Sequence, residues 1–407
     1  MKLLFLSHEI PSPGASDTLS LYQLIRHLSA LYEHDVTLIS FASERSRAED
    51  FEHLKNLCSI PNPILIQWSS RKMLLLKAIK NSILNLPKNL RLGLYVNELD
   101  YYYDRRMDQT IKEALKKDNF ELIFSTRQMA NYVLDVDVPK IVQPFDAMWD
   151  WHRQVFANSR GLKRIAPGIR YVLNRSYEKR IYEKFDRCLV VTQRDKELLE
   201  SLNPRIRCSV IPIGVDVDYF NPTDLNEEPS SLTLLARLQY PIAIANVVHF
   251  YNEVLPLILR EDPDVKVYLV GREPAKEIID LSADPSVIVT GYVNDVRPYL
   301  AKSTVFIAPE FLGTGMKYKV LEAMSMGKAV ATTTLGAQGI AVRNRVHLVI
   351  ADTNNDFAKE TLSLLTERDT RATLGANARK LVEEQYSWEA VTKVLNELLV
   401  NVLSKHG

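Results

Sequence analysis

Residues 311–340, FLGTGMKYKVLEAMSMGKAVATTTLGAQGI, decide the fold. A glycine-rich turn (Gly313, Thr314, Gly315) opens a segment in which Val320, Leu321 and Met324 recur at helical spacing. Gly327 is placed to end that helix. A β-branched run (Val330, Thr332, Thr333, Thr334) then reads as a strand, followed by a second glycine turn at Gly336 and Gly339. A helix N-terminus presents unbonded N–H groups and the positive end of the dipole, so it attracts phosphate. Lys317 reads as first-turn, where a cation opposes the dipole and is better placed with an anion beside it. Glu322 follows Lys319 by three residues, near its face of the helix. Turn, cation and carboxylate together suit a nucleoside diphosphate, the carboxylate accepting from ribose hydroxyls. An ordinary helix–turn–strand carries the same signals, and the turn chemistry alone does not separate the two.

The same rhythm runs outward in both directions. Short apolar runs alternate with longer amphipathic ones, the mark of parallel α/β units. Leu3–Ser7, Val36–Phe41, Leu122–Ser125, Lys140–Gln143, Cys188–Thr192 and Cys208–Pro212 read as strands in the first half. Leu232–Ala236, Lys266–Val270, Val287–Thr290, Val305–Ala308, Val330–Thr333 and His347–Ile350 read as strands in the second. Each set suffices for one doubly wound sheet, and a chain of 407 residues is too long for one ordinary core. The polar, acidic, proline-bearing stretch Gly214–Glu228 reads as the linker, and Asp356–Lys405 as a helical tail. Two such sheets imply ligands at the carboxyl ends of the strands. The turn after the first strand, SHEIPSPGASDT, carries Gly14 without the dinucleotide fingerprint spacing. That argues against an NAD or FAD enzyme and fits a glycine loop where substrate or phosphate approaches backbone.

Composition is that of an ordinary soluble globular protein, 46% hydrophobic and 25% charged. A net charge of +1 gives no global attraction for nucleic acid. The charge is unevenly spread. His53–Asn97 and Trp151–Tyr177 contain no acidic residue but many lysines and arginines. Within the first tract, Leu75, Ile79, Ile83 and Leu86 recur at helical spacing beside Lys72, Lys77 and Lys80. Arg71–Leu92 is therefore either a basic amphipathic helix for an anionic membrane or a domain helix packed on its sheet. Cys58, Cys188 and Cys208 have no metal or redox spacing and read as free thiols in a reducing, cytoplasmic compartment. Leu3–Leu6 is a first strand, not a signal peptide, and no apolar run reads as long enough to span a bilayer, so membrane contact would be peripheral.

Taken together, LTLLARLQYP, VKVYLVGREP, VIVTGYVNDVRPYLAKSTVFIAPE and GMKYKVLEAMSMGKAVATTTLGAQGI, with FDRCLVVTQRDKELL and VIPIGVDVDYFNP before them, resemble one family in block order. It is the retaining GT-B nucleotide-sugar glycosyltransferases of the sucrose-synthase and mannosyltransferase-like group, closest to the exopolysaccharide-type members. The resemblance covers nearly the whole chain. It implies two Rossmann-like domains facing across a cleft. Residues 1–215 would bind the acceptor, residues 216–386 the donor, and a C-terminal helix, residues 387–407, would cross back to complete the first domain.

The resemblance also implies roles. Glu322 matches the second carboxylate of the family's paired-glutamate motif, which binds the donor ribose. Lys317 and Lys319 fall where a basic residue often faces the diphosphate. Gly313 and Gly315 lie in the phosphate turn, with Gly315 at the close-approach glycine. Tyr292 and Val293 follow the strand whose backbone reads the nucleobase. Arg237 lies near the diphosphate arginine, without the usual lysine partner. Three positions depart from the pattern. The first glutamate of the pair would fall at Thr314, with Glu310 near but out of register. No N-terminal sugar-contacting histidine is obvious, although QPFDAMW puts Asp146 near that site and His8 follows the first strand. Ile213 stands where asparagine is usual. Asp146, Glu310 and Lys317 are the candidate catalytic residues, while a strand-end aspartate, glutamate or histidine is also a common turn former.

The reading implied is a metal-independent glycosyltransferase that retains configuration, with a nucleotide sugar as substrate and no separate cofactor. Its acceptor would be a glycan or phosphate-bearing lipid, met in the cytoplasm or at the inner face of the membrane. A sugar-nucleotide epimerase and a non-catalytic scaffold of a polysaccharide complex are the alternatives, the second favoured by Thr314.

Overall fold

The computed structural model describes residues 1–13, 18–42, 46, 48–60, 64–65, 80–81, 98–223, 226–313 and 315–405. The chain divides into two compact units, Met1–Pro212 with Thr392–Gly407, and Ile213–Val391. The candidate helix at 71–92 lies outside the described residues except for Lys80 and Asn81.

The first unit holds a seven-stranded sheet in the order β3-β2-β1-β4-β5-β6-β7. Its strands are β1 (Lys2–Ser7), β2 (Asp35–Ala42), β3 (Ile64–Leu65), β4 (Leu122–Thr126), β5 (Lys140–Phe145), β6 (Arg187–Val190) and β7 (Cys208–Val210). Every pairing is parallel. Parallel strands are covered on both faces, which is why Leu3–Leu6 and Leu122–Phe124 are unbroken apolar runs with no exposure. Phe5 and Phe124 stack at 4.7 Å across the central pair. The helix Leu19–Tyr32 covers the sheet with Leu21, Leu24, Ile25 and Leu28. Six strands were expected here. The seventh, β3, is a two-residue edge pair, too short to leave a periodic signal.

The second unit holds a six-stranded parallel sheet in the order β10-β9-β8-β11-β12-β13. Its strands are β8 (Glu228–Leu235), β9 (Lys266–Val270), β10 (Val287–Gly291), β11 (Ser303–Ala308), β12 (Val330–Thr332) and β13 (Val349–Ile350). The last strand is shorter than the run His347–Ile350 suggests. His347 is taken up by a turn in which its Nδ1 accepts from the Arg343 amide at 3.0 Å and Arg345 has a φ of 58°. Both sheets are thus doubly wound, and each reverses its strand order beside its first strand, between β1 and β4 and between β8 and β11. Such a reversal opens a crevice at the carboxyl ends of the strands, where ligands of open α/β sheets bind.

The stretch read as a linker is anchored rather than loose. Val215 donates to the Tyr386 carbonyl at 2.7 Å, and a Cβ on Gly214 would lie 2.5 Å from the Trp388 ring. Arg379 Nη1 donates to the carbonyls of Val217, Phe220 and Ser325 at 2.7–2.9 Å. In the C-terminal helix, Trp388–Leu403, Leu395, Leu399 and Val402 are buried, and Asn396 Oδ1 lies 2.7 Å from His34 Nε2 in the first unit.

One expectation is corrected. Among the described residues one helix, Pro241–Glu261, is long and apolar enough to cross a membrane by length and composition. Its Val247, Phe250, Val254, Leu255 and Ile258 belong to the second unit's core, which accounts for its hydropathy. A π-helical turn at Phe250–Val254 precedes Pro256, whose ring blocks ordinary pairing with the preceding turn.

Candidate functional site

At the crevice of the second sheet, β11 ends at Ala308 and the chain runs through Glu310 into the glycine turn. Gly313 and Gly315 have φ of 129° and 72°, left-handed values that a side chain would strain. Thr314 lies outside the described residues. The helix that follows is Tyr318–Ser325, so Lys317, expected within its first turn, sits just before it in extended conformation. Its ammonium folds back over the turn. Nζ donates to the Gly315 carbonyl at 2.9 Å and lies 3.8 Å from where a Cβ on Gly313 would be. The cation therefore avoids the dipole it would have opposed. Val320, Leu321 and Met324 face inward with no exposure, as their spacing predicts.

The carboxylates are arranged differently from the sequence expectation. Glu310 is buried, 6% exposed. It pairs with Lys319 Nζ and accepts from Asn246 Nδ2 at 3.0 Å. Lys319, read as facing a diphosphate, is instead tied to this carboxylate from the first turn of the helix. Lys319 also acts on Glu322. Burial pushes the Glu322 carboxyl up to about 7, and Lys319 pulls it back part of the way. The Glu322 side chain is half-buried, and its carboxylate makes no hydrogen bond among the described residues, which leaves its acceptors open to a ligand.

Asn246 was not singled out by sequence reasoning. On the helix Pro241–His249, its amide donates to Glu310 and to the Leu312 carbonyl, while its Oδ1 accepts from the Phe311 and Leu312 amides at 3.1 and 2.9 Å. One buried amide thus fixes the entry to the glycine turn. Its only sequence signal is that it is one of two polar residues, the other being His249, on an otherwise apolar helix, PIAIANVVHF. From the other side, Thr333 Oγ1 donates to the Glu310 carbonyl at 2.6 Å.

Arg237 follows β8 on the far side of the crevice. Its guanidinium lies over the Tyr240 ring, 5.5 Å from the centroid, and Ile242 of the next helix lies 3.6 Å from where a Cβ on Gly313 would be. Tyr292 and Val293 follow β10, two strands further along the same edge. Tyr292 is 68% exposed and Val293 half-buried. All the candidate residues of this unit therefore share the carboxyl edge of one sheet.

In the first unit Gly14 lies outside the described residues. His8 ends near Tyr102, rings edge to face at 5.9 Å. Asp146 follows a distorted strand end. Pro144 has no N–H for the ladder, the β5–β6 register breaks between Val142 and Phe145, and Phe145 has a φ of 68°. A bulky residue at positive φ is an outlier costing ~1–3 kcal/mol, kept only where surroundings over-determine it. Here Val191 donates to the Phe145 carbonyl at 3.0 Å and Ala147 to Asp195 Oδ1 at 3.0 Å. Asp195 in turn is bonded by Thr192 Oγ1. The next helix, Met148–Asn158, is held by two buried carboxylates. Asp150 accepts from Arg194 at 2.6 Å and from Arg153 and Gln154, and those bonds hold its carboxyl below the usual range against the opposing effect of burial. Glu178 faces Arg127 at 3.6 Å, and the nearby Met148 and Trp149 amides favour its ionised form. Neither carboxylate was legible as functional.

Two family descriptions match this chain: Glycosyltransferase Family 4 over residues 19–219 and Glycosyl transferases group 1 over residues 229–367. A relative from Klebsiella pneumoniae, described as an uncharacterised 44.6 kDa protein in the cps region, is 22% identical over 409 aligned positions, covering 96% of this chain and 97% of its own. The sucrose-phosphate synthase of Thermosynechococcus elongatus superposes with a TM-score of 0.70 at 14% identity over the whole of both chains. Anabaena HepE, solved in complex with UDP and glucose, gives 0.64 at 14% identity, covering 98% of this chain and all of its own. Both are likenesses of fold. With the two doubly wound sheets and the glycine-turn helix in the positions described, the chain belongs to the group 1, family 4 glycosyltransferases of the GT-B fold.

Proposed function

We propose that this glycosyltransferase moves a hexose from a nucleoside diphosphate sugar to a glycan or phosphate-bearing lipid acceptor of polysaccharide biosynthesis, with retention of configuration. The observation that carries the reading is the Gly313–Gly315 turn with the Lys317 ammonium folded over it and an open Glu322 acceptor one turn further on. The likeness to a protein solved with UDP and glucose supports a nucleotide-sugar donor. In this reading the donor ribose bonds Glu322, the base lies along Tyr292 and Val293, and the diphosphate lies on the turn between Lys317 and Arg237. The bond from the sugar's anomeric carbon to the diphosphate oxygen breaks as charge develops on that oxygen. Lys317, Arg237 and the turn's N–H groups stabilise that charge. The acceptor oxygen bonds the anomeric carbon from the same face and gives its proton to the departing phosphate. Glu310, engaged by Lys319 and Asn246, is a positioning residue in this scheme rather than a nucleophile. Asp146, on its held loop, faces the acceptor's part of the work. The reaction needs no resident cofactor and takes place in the cytoplasm or at the inner face of the membrane.

The test is thermal stabilisation of the purified protein by UDP, GDP, ADP and TDP, free and sugar-bearing. A ligand at a hundred times its Kd that binds only the folded state adds ~2.7 kcal/mol. A response to one nucleotide names the donor class. No response to any favours the scaffold alternative, and interconversion of donors without acceptor favours the epimerase.

Glu322 gives a sharper expectation. Its carboxyl titrates near 7, and the ionised form is the better ribose acceptor. Affinity for a nucleotide sugar, whose diphosphate has no proton to lose in this range, should rise with pH through 7. Glu322→Gln should bind weaker by about tenfold, as loss of a charged hydrogen bond implies, with a flat pH profile. Calorimetric titration at several pH values checks both, and equal affinity for the two proteins would remove Glu322 from the donor site.

A further inference from the structure

We infer that the face formed by Leu162, Ile165, Ile169 and Val172 rests on an anionic lipid bilayer. These residues are 85%, 57%, 56% and 60% exposed and recur at helical spacing along the 3-10 turn Gly161–Arg164 and the helix Ile165–Ile181. The helix is not missing a partner within its unit. Its opposite side, with Asn174, Tyr177, Glu178 and Ile181, is already buried. The apolar stripe is therefore surplus to the fold, and contiguous exposed apolar surface of this kind marks an interaction site.

Charge decides the occupant. Arg160, Lys163, Arg164 and Arg175 are exposed around the stripe and make no ion pair among the described residues. No acidic residue occurs from Trp151 to Tyr177. The acidic residues that flank the tract in sequence, Asp150 and Glu178, are buried and engaged by Arg153, Arg194 and Arg127. The guanidinium of Arg164 lies over Phe156, 4.4 Å from its centroid, which keeps a cation at the tip of the helical pair beside Leu162. An aliphatic ridge rimmed by cations, with no acid and no exposed aromatic within it, is what an interfacial helix presents to anionic headgroups. A protein interface would instead be enriched in aromatic anchors. The inference uses the proposed function only for what the membrane carries, the lipid-linked acceptor. Lipid binding is measured without turnover, so the two fail separately.

The experiment is co-sedimentation of the full chain with phosphatidylcholine/phosphatidylglycerol vesicles and with phosphatidylcholine vesicles alone. Binding is expected to the mixed vesicles only and to weaken with salt. Arg160→Glu with Lys163→Glu, and separately Leu162→Asp with Ile169→Asp, should each lower partitioning about tenfold or more with unchanged melting temperature. If the aspartate variant melts early, the glutamate variant, confined to exposed surface, decides alone. Absence of binding to mixed vesicles, partitioning unchanged by the deciding variant, or light scattering showing a dimer that the aspartate variant dissolves would each overturn the assignment.

Discussion

Replacing Lys317 by alanine should lower the turnover number about 10²–10³-fold, the usual loss when one donor aimed at developing charge is removed. The geometry says why the effect should fall on turnover more than on binding. Lys317 is held by the Gly315 carbonyl at 2.9 Å, over the turn and outside the helix, so its removal leaves the left-handed glycines and the turn's N–H groups in place. Those groups, with Glu322, would still bind the ground-state donor. The ammonium answers most strongly the charge that grows as the diphosphate leaves, so its loss lowers kcat more than it raises KM. Lys317→Arg should recover the activity poorly. A planar fork cannot fold into the space between Gly313 and the Gly315 carbonyl as a point charge does. Steady-state kinetics of the three proteins checks this, with nucleotide-induced stabilisation as the control for an intact donor site. An alanine variant with wild-type turnover would place Lys317 outside the mechanism.

Much of the second unit could be read in advance because its signals are local. The glycine turn, the apolar spacing of Val320, Leu321 and Met324, and the β-branched strand after Gly327 each follow from residues within a few positions of one another. The pairing of Lys319 with Glu310 could not be read in this way. It depends on where the loop 309–317 returns relative to the helix, and that is set by Asn246 from some sixty residues upstream. Helical spacing brings Lys319 near Glu322, and the helix keeps that neighbourhood, but the short ion pair forms with the residue across the loop. The distortion at Phe145 has a legible cause in Pro144, whereas its stabilising partners Val191 and Asp195 come from β6 and the helix after it. Local chemistry is visible in a sequence at the range of a helical turn. Networks that close between strands are visible only once the topology is known.

The largest stability effect expected in the first unit is at one of those closed networks. Glu178→Ala should cost about 2–5 kcal/mol, because it empties a fully buried position. Glu178 has no exposed surface, and Arg127 opposite it also donates to Tyr182 OH at 3.0 Å and to Asn174 Oδ1. The substitution would open a cavity beside Arg127 and the Met148 and Trp149 amides, at the start of the helix that follows Asp146. In a unit of this size that corresponds to a fall of about 10 °C in the unit's melting temperature. The pH dependence has a sign of its own. Burial pushes the Glu178 carboxyl up to about 8 although Arg127 and the two amides pull it down. Between the ordinary carboxylate value and 8 the folded state therefore holds more protons than the unfolded one. Its contribution to stability is present below that window and is lost as pH rises through it. Glu178→Gln keeps the side-chain volume and has no proton to lose. The stability gap between wild type and this variant should consequently narrow from pH 5.5 to pH 8. A gap that stays constant over that range would mean that attraction to Arg127 outweighs desolvation. In that case the carboxylate is ionised in the folded protein, and the segment bearing Phe145 and Asp146 is held by an ion pair rather than by a protonated acid.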